Sequence, residues 1–356
     1  MLAVATLCAG FTAPDADSLS QMLKDVQQLV DARAKAYNCS FSVALKSPSL
    51  DGGKVHVVAA GGAEIDSKFA WGSITKMWTG ASIMQLVANG VLSLEEPAAP
   101  HVDAQLAAMK KISFPGMDGF SKLSDLYGED VNKVTIRNLL AMQSGIPDFD
   151  TANPSRVGPD KDTFRATVYA HPTTDYPEPT LMSEPWVAQH KLTSVPGEGF
   201  HYSSTNFGLL GLILAHHAGV ADIRHLNQSV FIPPSLSKVN ELIGWARTGS
   251  PAEHGVVVGY DRTDYNGQDP KKNPAGVDVS RVHGVFAGWA PRGSNPHRIR
   301  NCRSTPPADR AFAPHCGQLH RERFRGAHEC RRRAGVRPVG IQQSAHACQV
   351  PRPHGA

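Results

Sequence analysis

Apolar positions recur at helical spacing in some stretches and alternate in others, and the two periods divide the chain into elements. Leu19, Met22, Val26, Leu29 and Val30 mark one face of an amphipathic helix. It opens on a capping-box pattern, Ser18-Leu19-Ser20-Gln21, and is expected to end near Ala36. Phe41 to Leu45 alternates as a strand, Asp51-Gly52-Gly53 is a turn, and Lys54 to Ala60 is a second β-rich run; together they predict a hairpin. Ile74, Met77, Trp78, Ala81, Met84 and Val87-Ala88 then keep helical period from Ser73 to Asn89-Gly90, where a glycine stop is expected. That helix is apolar over most of its surface, which predicts burial.

Further helical patterns follow without a clear strand. Val102 to Lys111 is one, and Thr135 to Gln143 is another, stopped by Ser144-Gly145-Ile146-Pro147. Residues 148–200 are rich in Pro, Asp and Thr and read as a loop wall with short helices. After a turn at Pro196-Gly197-Glu198-Gly199, Asn206 to Ala218 is a strongly apolar helix closed by Gly219. Val256 to Tyr260 is a short strand, and nothing repeats internally. Val282 to Ala290 looks like ordinary globular sequence, but from Pro291 the periodicity collapses.

Composition sharpens that break. The net charge of +4 is the sum of two unlike parts. Residues 1–290 carry 23 Lys and Arg against 29 Asp and Glu, a net of −6; residues 291–356 carry 13 Arg, no Lys and 3 acidic residues, a net of +10. The tail also holds four of the six cysteines. Cys302, Cys316, Cys330 and Cys348 are too widely spaced for the close ligand pairs of a zinc module. Arg331-Arg332-Arg333 without interleaved aromatics reads as a solvated basic tail, not a nucleic-acid interface. The tail's composition is that of a GC-rich message translated in a shifted frame, or mis-spliced. The expected organisation is therefore a short apolar start at 1–14, one domain at 15–290 and a disordered tail at 291–356. The apolar start, a signal remnant or a disordered segment, and the sequons at Asn38 and Asn227 point to a secreted or extracytoplasmic protein. No apolar run reaches the roughly 18 residues of a membrane span.

The candidate chemistry lies in Gly72-Ser73-Ile74-Thr75-Lys76. Positions three apart share a helix face, so Lys76 would bring its ammonium to the Ser73 hydroxyl. A serine needs a base beside it to act as a nucleophile, and a lysine in a dry site can be that base. Spacing alone is weak evidence, since Ser235-Leu236-Ser237-Lys238 shows it too, and an N-cap serine beside a solvated lysine is its ordinary meaning. The apolar run after Ser73 sets that pair apart.

Several segments in order then resemble the serine β-lactamase and penicillin-binding-protein-like hydrolases, in the branch of class C β-lactamases, D-Ala-D-Ala carboxypeptidases and esterases. They are Ser73-Ile74-Thr75-Lys76, the turn Gly90 to Glu95, Leu139-Leu140 with Ser144-Gly145, and Pro196 to Gly211 with Tyr202. The resemblance covers roughly residues 15–290. It implies an α/β (α+β) fold, with an antiparallel sheet flanked by helices and a mostly helical subdomain at about 95–200. It also implies a small-molecule or peptide acyl substrate, an acyl-enzyme on Ser73, Lys76 as base and Tyr202 as the proton carrier to the leaving group. Ser204 and Asn206 would bind substrate, and neither a metal nor an organic cofactor is implied.

Two departures stand out. Tyr202-Ser203-Ser204 has serine where the family carries asparagine. The third box, Lys-Thr-Gly or His-x-Gly on a late inner strand, has only poor counterparts in Arg247-Thr248-Gly249, His283-Gly284 and His315-Cys316-Gly317. Without that strand the sheet is expected to be incomplete and the hairpin to have an unpaired edge. A catalytically inactive relic or ligand-binding protein of the same fold is the alternative.

Overall fold

The computed structural model describes residues 16–150 and 164–287, apart from 234, 236–242, 246–247, 258 and 262–275. The apolar start, the tail from 291 onward with His315, and the positions Arg247 and Lys238 lie outside the described residues.

The fold is α/β, with small sheets flanked by helices. Helix α1 (Ala16–Tyr37) lies against a hairpin of β1 (Phe41–Leu45) and β2 (His56–Ala60), paired antiparallel from Phe41↔Ala60 to Leu45↔His56. Val30 and Ala34 of α1 bury against Val58 and Ala60, with Val26, Phe41 and Val43 at the rim. The helix is already formed at Ala16, so Ser18 lies inside its first turn and not at its cap. Gly52, at φ 63°, makes the hairpin turn in a conformation that costs glycine little.

Strand β3 (Lys68–Phe69), which the hydrophobic pattern does not show, runs parallel to β4 (Val256–Val257). The single run expected from Val256 to Tyr260 is divided, and its far end forms β5 (Tyr260–Asp261), antiparallel to β6 (Val277–Asp278). Among the described residues the sheet is thus three two-stranded pieces, not one continuous antiparallel sheet.

The helices make the larger core. Helix α2 (Thr75–Ala88) and α3 (Ala99–Lys111) both pack on α8 (Ser204–His217). The short helices α4 (Leu123–Tyr127), α5 (Ile136–Leu140), α6 (Phe164–Ala170) and α7 (Glu178–Met182) fill in around them. Every residue of α8 from Ser204 to Ala215 is buried, as an all-round apolar helix requires. Gly219, at φ 67°, ends it. Helix α5 is shorter than its periodicity suggests. Thr135 caps it by exchanging hydrogen bonds with Asn138, and the chain leaves helical geometry at Met142, φ 57°.

Helix α2 departs most from expectation. Its buried residues are Thr75, Lys76, Thr79, Ser82, Ile83 and Leu86, a largely polar set. The apolar stripe that defines its periodicity faces outward, with Ile74, Met77 and Met84 exposed at 45, 67 and 45%. The buried polar groups are tolerable because they find partners, as Thr79 does in donating to Gln228 Oε1 at 3.2 Å.

Candidate active site

The chain enters α2 through a tight turn. Gly72 adopts φ 51°, a glycine conformation, and a 3-10 turn over Gly72–Ile74 delivers Ser73 just ahead of the α-helix. Lys76, one turn on, is buried at 7% exposure, whereas Ser73 stays at the surface. The Lys76 ammonium donates to Ser73 Oγ at 3.3 Å. Its Nζ also lies 5.1 Å from the ring centre of Tyr202 and 5.9 Å from that of Phe207, within cation–π range.

Tyr202 arrives from a segment sewn to the loop after α5. His201 N–H donates to the Met142 carbonyl at 2.9 Å, Ser204 N–H to Asp148 Oδ1 at 2.9 Å, and Thr205 Oγ1 to the Pro147 carbonyl at 2.8 Å. Thr205 Oγ1 in turn accepts from Phe149 N–H at 3.0 Å. These bonds fix the backbone on both sides of Tyr202 and bring its hydroxyl to 2.7 Å from Ser73 Oγ. Burial pushes the phenol pKa up. Hydrogen bonds with Lys76 and Ser73, the Lys76 charge and a Ser204 hydrogen bond outweigh it, and the net position is below the ordinary phenol value.

Ser73, Lys76 and Tyr202 therefore meet at one point. Ser204 and Asn206 do not present open side chains. Ser204 is 4% exposed, and Asn206 is fully buried. Asn206 Oδ1 accepts from Ser144 Oγ at 2.7 Å, and Ser144 Oγ accepts from Ile146 N–H at 3.0 Å. The expected substrate contact at Asn206 is thus, in the structure, an internal link between α8 and the Ser144-Gly145 turn. Gly145, at φ 77°, packs so tightly that a Cβ would collide with the Ser194 carbonyl.

The dry surroundings expected for Lys76 do not extend to its partners. Tyr202 is 43% exposed and its neighbour Phe200 66%. Two clefts are lined by Ala60, Phe69, Val257 and Tyr260, and by Ala70, Phe164, Tyr169 and Val285; none of Ser73, Lys76 and Tyr202 lines either of them. Two of the third-box lookalikes share one unrelated role: Gly249 N–H and His283 Nδ1 both sit 3.0 Å from Asp175 Oδ1. Ser235 is exposed, and its Lys238 lies outside the described residues.

Sequence reasoning missed a second polar cluster. His101, His216 and His217 gather where α3 begins and α8 ends. The only signal was the His216-His217 pair; His101 is more than 100 positions away in the chain.

No helix among the described residues is long and apolar enough to cross a membrane. In sequence, the chain is 25% identical over 195 residues to protein flp of Staphylococcus aureus (strain NCTC 8325 / PS 47), a match spanning 55% of this chain and 31% of that protein. The chain thus matches about a third of the length of these relatives. In structure it resembles a D-stereospecific amidohydrolase from Streptomyces sp. (TM-score 0.50, 21% identity, covering 76% of this chain and 68% of the other). It also resembles the D-amino acid amidase of Ochrobactrum anthropi SV3 (TM-score 0.50, 18% identity, covering 78% and 68%), and both likenesses concern the fold alone. The family described as Beta-lactamase matches residues 50–306, a span of well over half of the sequence within which Ser73, Lys76 and Tyr202 lie, and the chain belongs to that family.

Proposed function

We propose that the chain is a serine hydrolase that forms an acyl-enzyme on Ser73 and releases it to water. The observation that supports this most directly is the position of Ser73 Oγ, 2.7 Å from Tyr202 OH and 3.3 Å from Lys76 Nζ. Ser73 Oγ attacks the substrate carbonyl carbon while its proton passes into the Tyr202–Lys76 pair. Tyr202 returns that proton to the departing amine or alkoxide, leaving an ester on Ser73. Water, deprotonated by the same pair, then hydrolyses the ester. The Ser73 backbone N–H, at the positive end of α2, supplies one donor for the oxyanion.

The substrate class is an amide, β-lactam or ester. The fold's likeness to a D-amino acid amidase and a D-stereospecific amidohydrolase favours short amides of D-amino acids as the first compounds to try. An irregular tail produced by a shifted reading frame belongs to the same proposal, since it accounts for the poor third box.

One observation favours a second reading, that of an inactive relic. Ser73 and Tyr202 are both open to water, which weakens electrostatic catalysis. A fluorescent fluorophosphonate distinguishes the two. Labelling that disappears in Ser73→Ala but persists in Ser235→Ala supports the hydrolase, and no labelling of the folded wild-type chain supports the relic.

A further inference from the structure

One ring nitrogen from each of His101, His216 and His217 lies within 4.8 Å of the other two. His217 Nε2 and His101 Nδ1 are 3.3 Å apart. Two imidazole nitrogens bound to one tetrahedral zinc ion at its usual Zn–N distance are also separated by about 3.3 Å. The His216 nitrogen lies within 4.8 Å of both, close enough for a side-chain rotation to bring it to a third corner.

The surroundings suit a cation. His101 Nε2 is 3.3 Å from Glu96 Oε1, so its Nε2–H donates to the carboxylate and the Nδ1 lone pair is left on the side facing His217. A ligating histidine characteristically donates its other N–H to such a carboxylate, which fixes its tautomer and orientation. Glu96 is itself held: its Oε1 accepts from Ser93 N–H at 3.0 Å, and its backbone carbonyl accepts from Ile136 N–H at 3.1 Å. His216 and His217 occupy the last turn of α8, the negative end of its dipole. The two supporting helices pack on each other, and Val102, Leu106 and Leu212 are fully buried in the same core.

We infer that His101, His216 and His217 form a binding site for a borderline-soft divalent transition cation of the zinc class, with Glu96 orienting His101 and water as the fourth ligand. Ser204, beside the candidate active site, begins α8, and His217 ends it, about 20 Å apart along the helix. The site is therefore a clamp between α3 and α8 and takes no part in the chemistry at Ser73.

The test uses the untagged full-length chain, stripped of metal and titrated with Zn²⁺ against a chromophoric chelator, with Co²⁺ as the spectroscopic probe. One equivalent should bind and raise the thermal midpoint, and Co²⁺ should give tetrahedral visible bands. The double variant His101→Ala/His217→Ala should lose that equivalent and the thermal response. Glu96→Gln should weaken binding ~10–100-fold, and His171→Ala should leave it unchanged. Should the double variant fail to fold, His217→Gln keeps the size and polarity and should lose the same equivalent. Equal zinc binding by wild type and variants, no binding by the wild type, or Co²⁺ bands dominated by thiolate charge transfer would each overturn the assignment.

Discussion

The hydroxyl oxygens of Ser73 and Tyr202 lie 2.7 Å apart although 129 positions separate them in the chain. Lys76 reaches the same serine from one helical turn away, at 3.3 Å. This geometry assigns separable roles. Ser73→Ala should abolish covalent labelling, while Lys76→Met and Tyr202→Phe should each slow it about 10²–10⁴-fold. The rate constant of fluorophosphonate inactivation measures this, with circular dichroism to confirm the fold. Equal rates in wild type and Tyr202→Phe would remove Tyr202 from the mechanism.

Tyr202 also sets a pH dependence. Burial raises its pKa, and the Lys76 and Ser73 interactions bring it below the ordinary phenol value. If the phenolate accepts the serine proton, inactivation should rise with pH to a plateau, and the midpoint should lie below that of a free phenol. Removing the cation should raise the phenol pKa, so the Lys76→Met midpoint should move to higher pH. A midpoint unchanged in Lys76→Met would show that another group governs the limb.

How much of this was legible beforehand depended on whether a signal was local. Ser73 and Lys76 share one helical turn, so spacing alone could pair them. The hairpin of β1 and β2 followed from alternation and Gly52, and the C-terminal end of α8 from Gly219, whereas α8 begins at Ser204, two residues before its expected start. Tyr202 became visible only through the ordered motifs of a family, because no periodicity links residues 73 and 202. The orientation of α2 was misread for a different reason. Period shows which residues share a face but not which face turns inward, and here tertiary contacts bury Thr75, Thr79 and Ser82 in place of Met77 and Met84. Two-residue strands such as β3 carry too little pattern to be seen at all.

Ser144 and Asn206 offer a stability test independent of activity. Both are buried, and the Ser144 hydroxyl donates to Asn206 Oδ1 at 2.7 Å. Ser144→Ala leaves that oxygen without this donor inside the core, and the Ile146 N–H loses its acceptor. The expected loss is about 1–3 kcal/mol in urea unfolding. Because the same loop fixes Tyr202 through the Met142 carbonyl, labelling at Ser73 should slow as well. A variant as stable as wild type would mean that the link is replaced by water.

The composition break at residue 290 makes a prediction about the message. Reading the codons after 290 in the other two frames should yield globular sequence with a Lys-Thr-Gly or His-x-Gly strand. Expressed with that continuation, the protein should label faster at Ser73, because a second oxyanion donor is typically worth about 10²–10³ in turnover. Two frames without such a strand would refute the shifted-frame account.

The outward stripe of α2 leads to the last prediction. Ile74, Met77, Ala81 and Met84 recur at helical spacing and are exposed, while Trp71 stacks on Trp78 beside them with ring centres 5.7 Å apart. A helix normally turns its polar face to water, so α2 in this chain is inverted. Contiguous exposed apolar surface drives association, and the chain should bind hydrophobic dyes and self-associate with increasing concentration. Met77→Glu with Met84→Lys places opposite charges seven residues apart on that face, where neither side chain lies in the core. Stability should change by no more than about 0.5 kcal/mol per site, as for ordinary surface substitutions. Light scattering and dye fluorescence should both fall, and Ser73 labelling should persist, since Lys76 and Tyr202 are untouched. A double variant that unfolds would show that Met77 and Met84 are packed against something, and the inverted orientation of α2 would have to be abandoned.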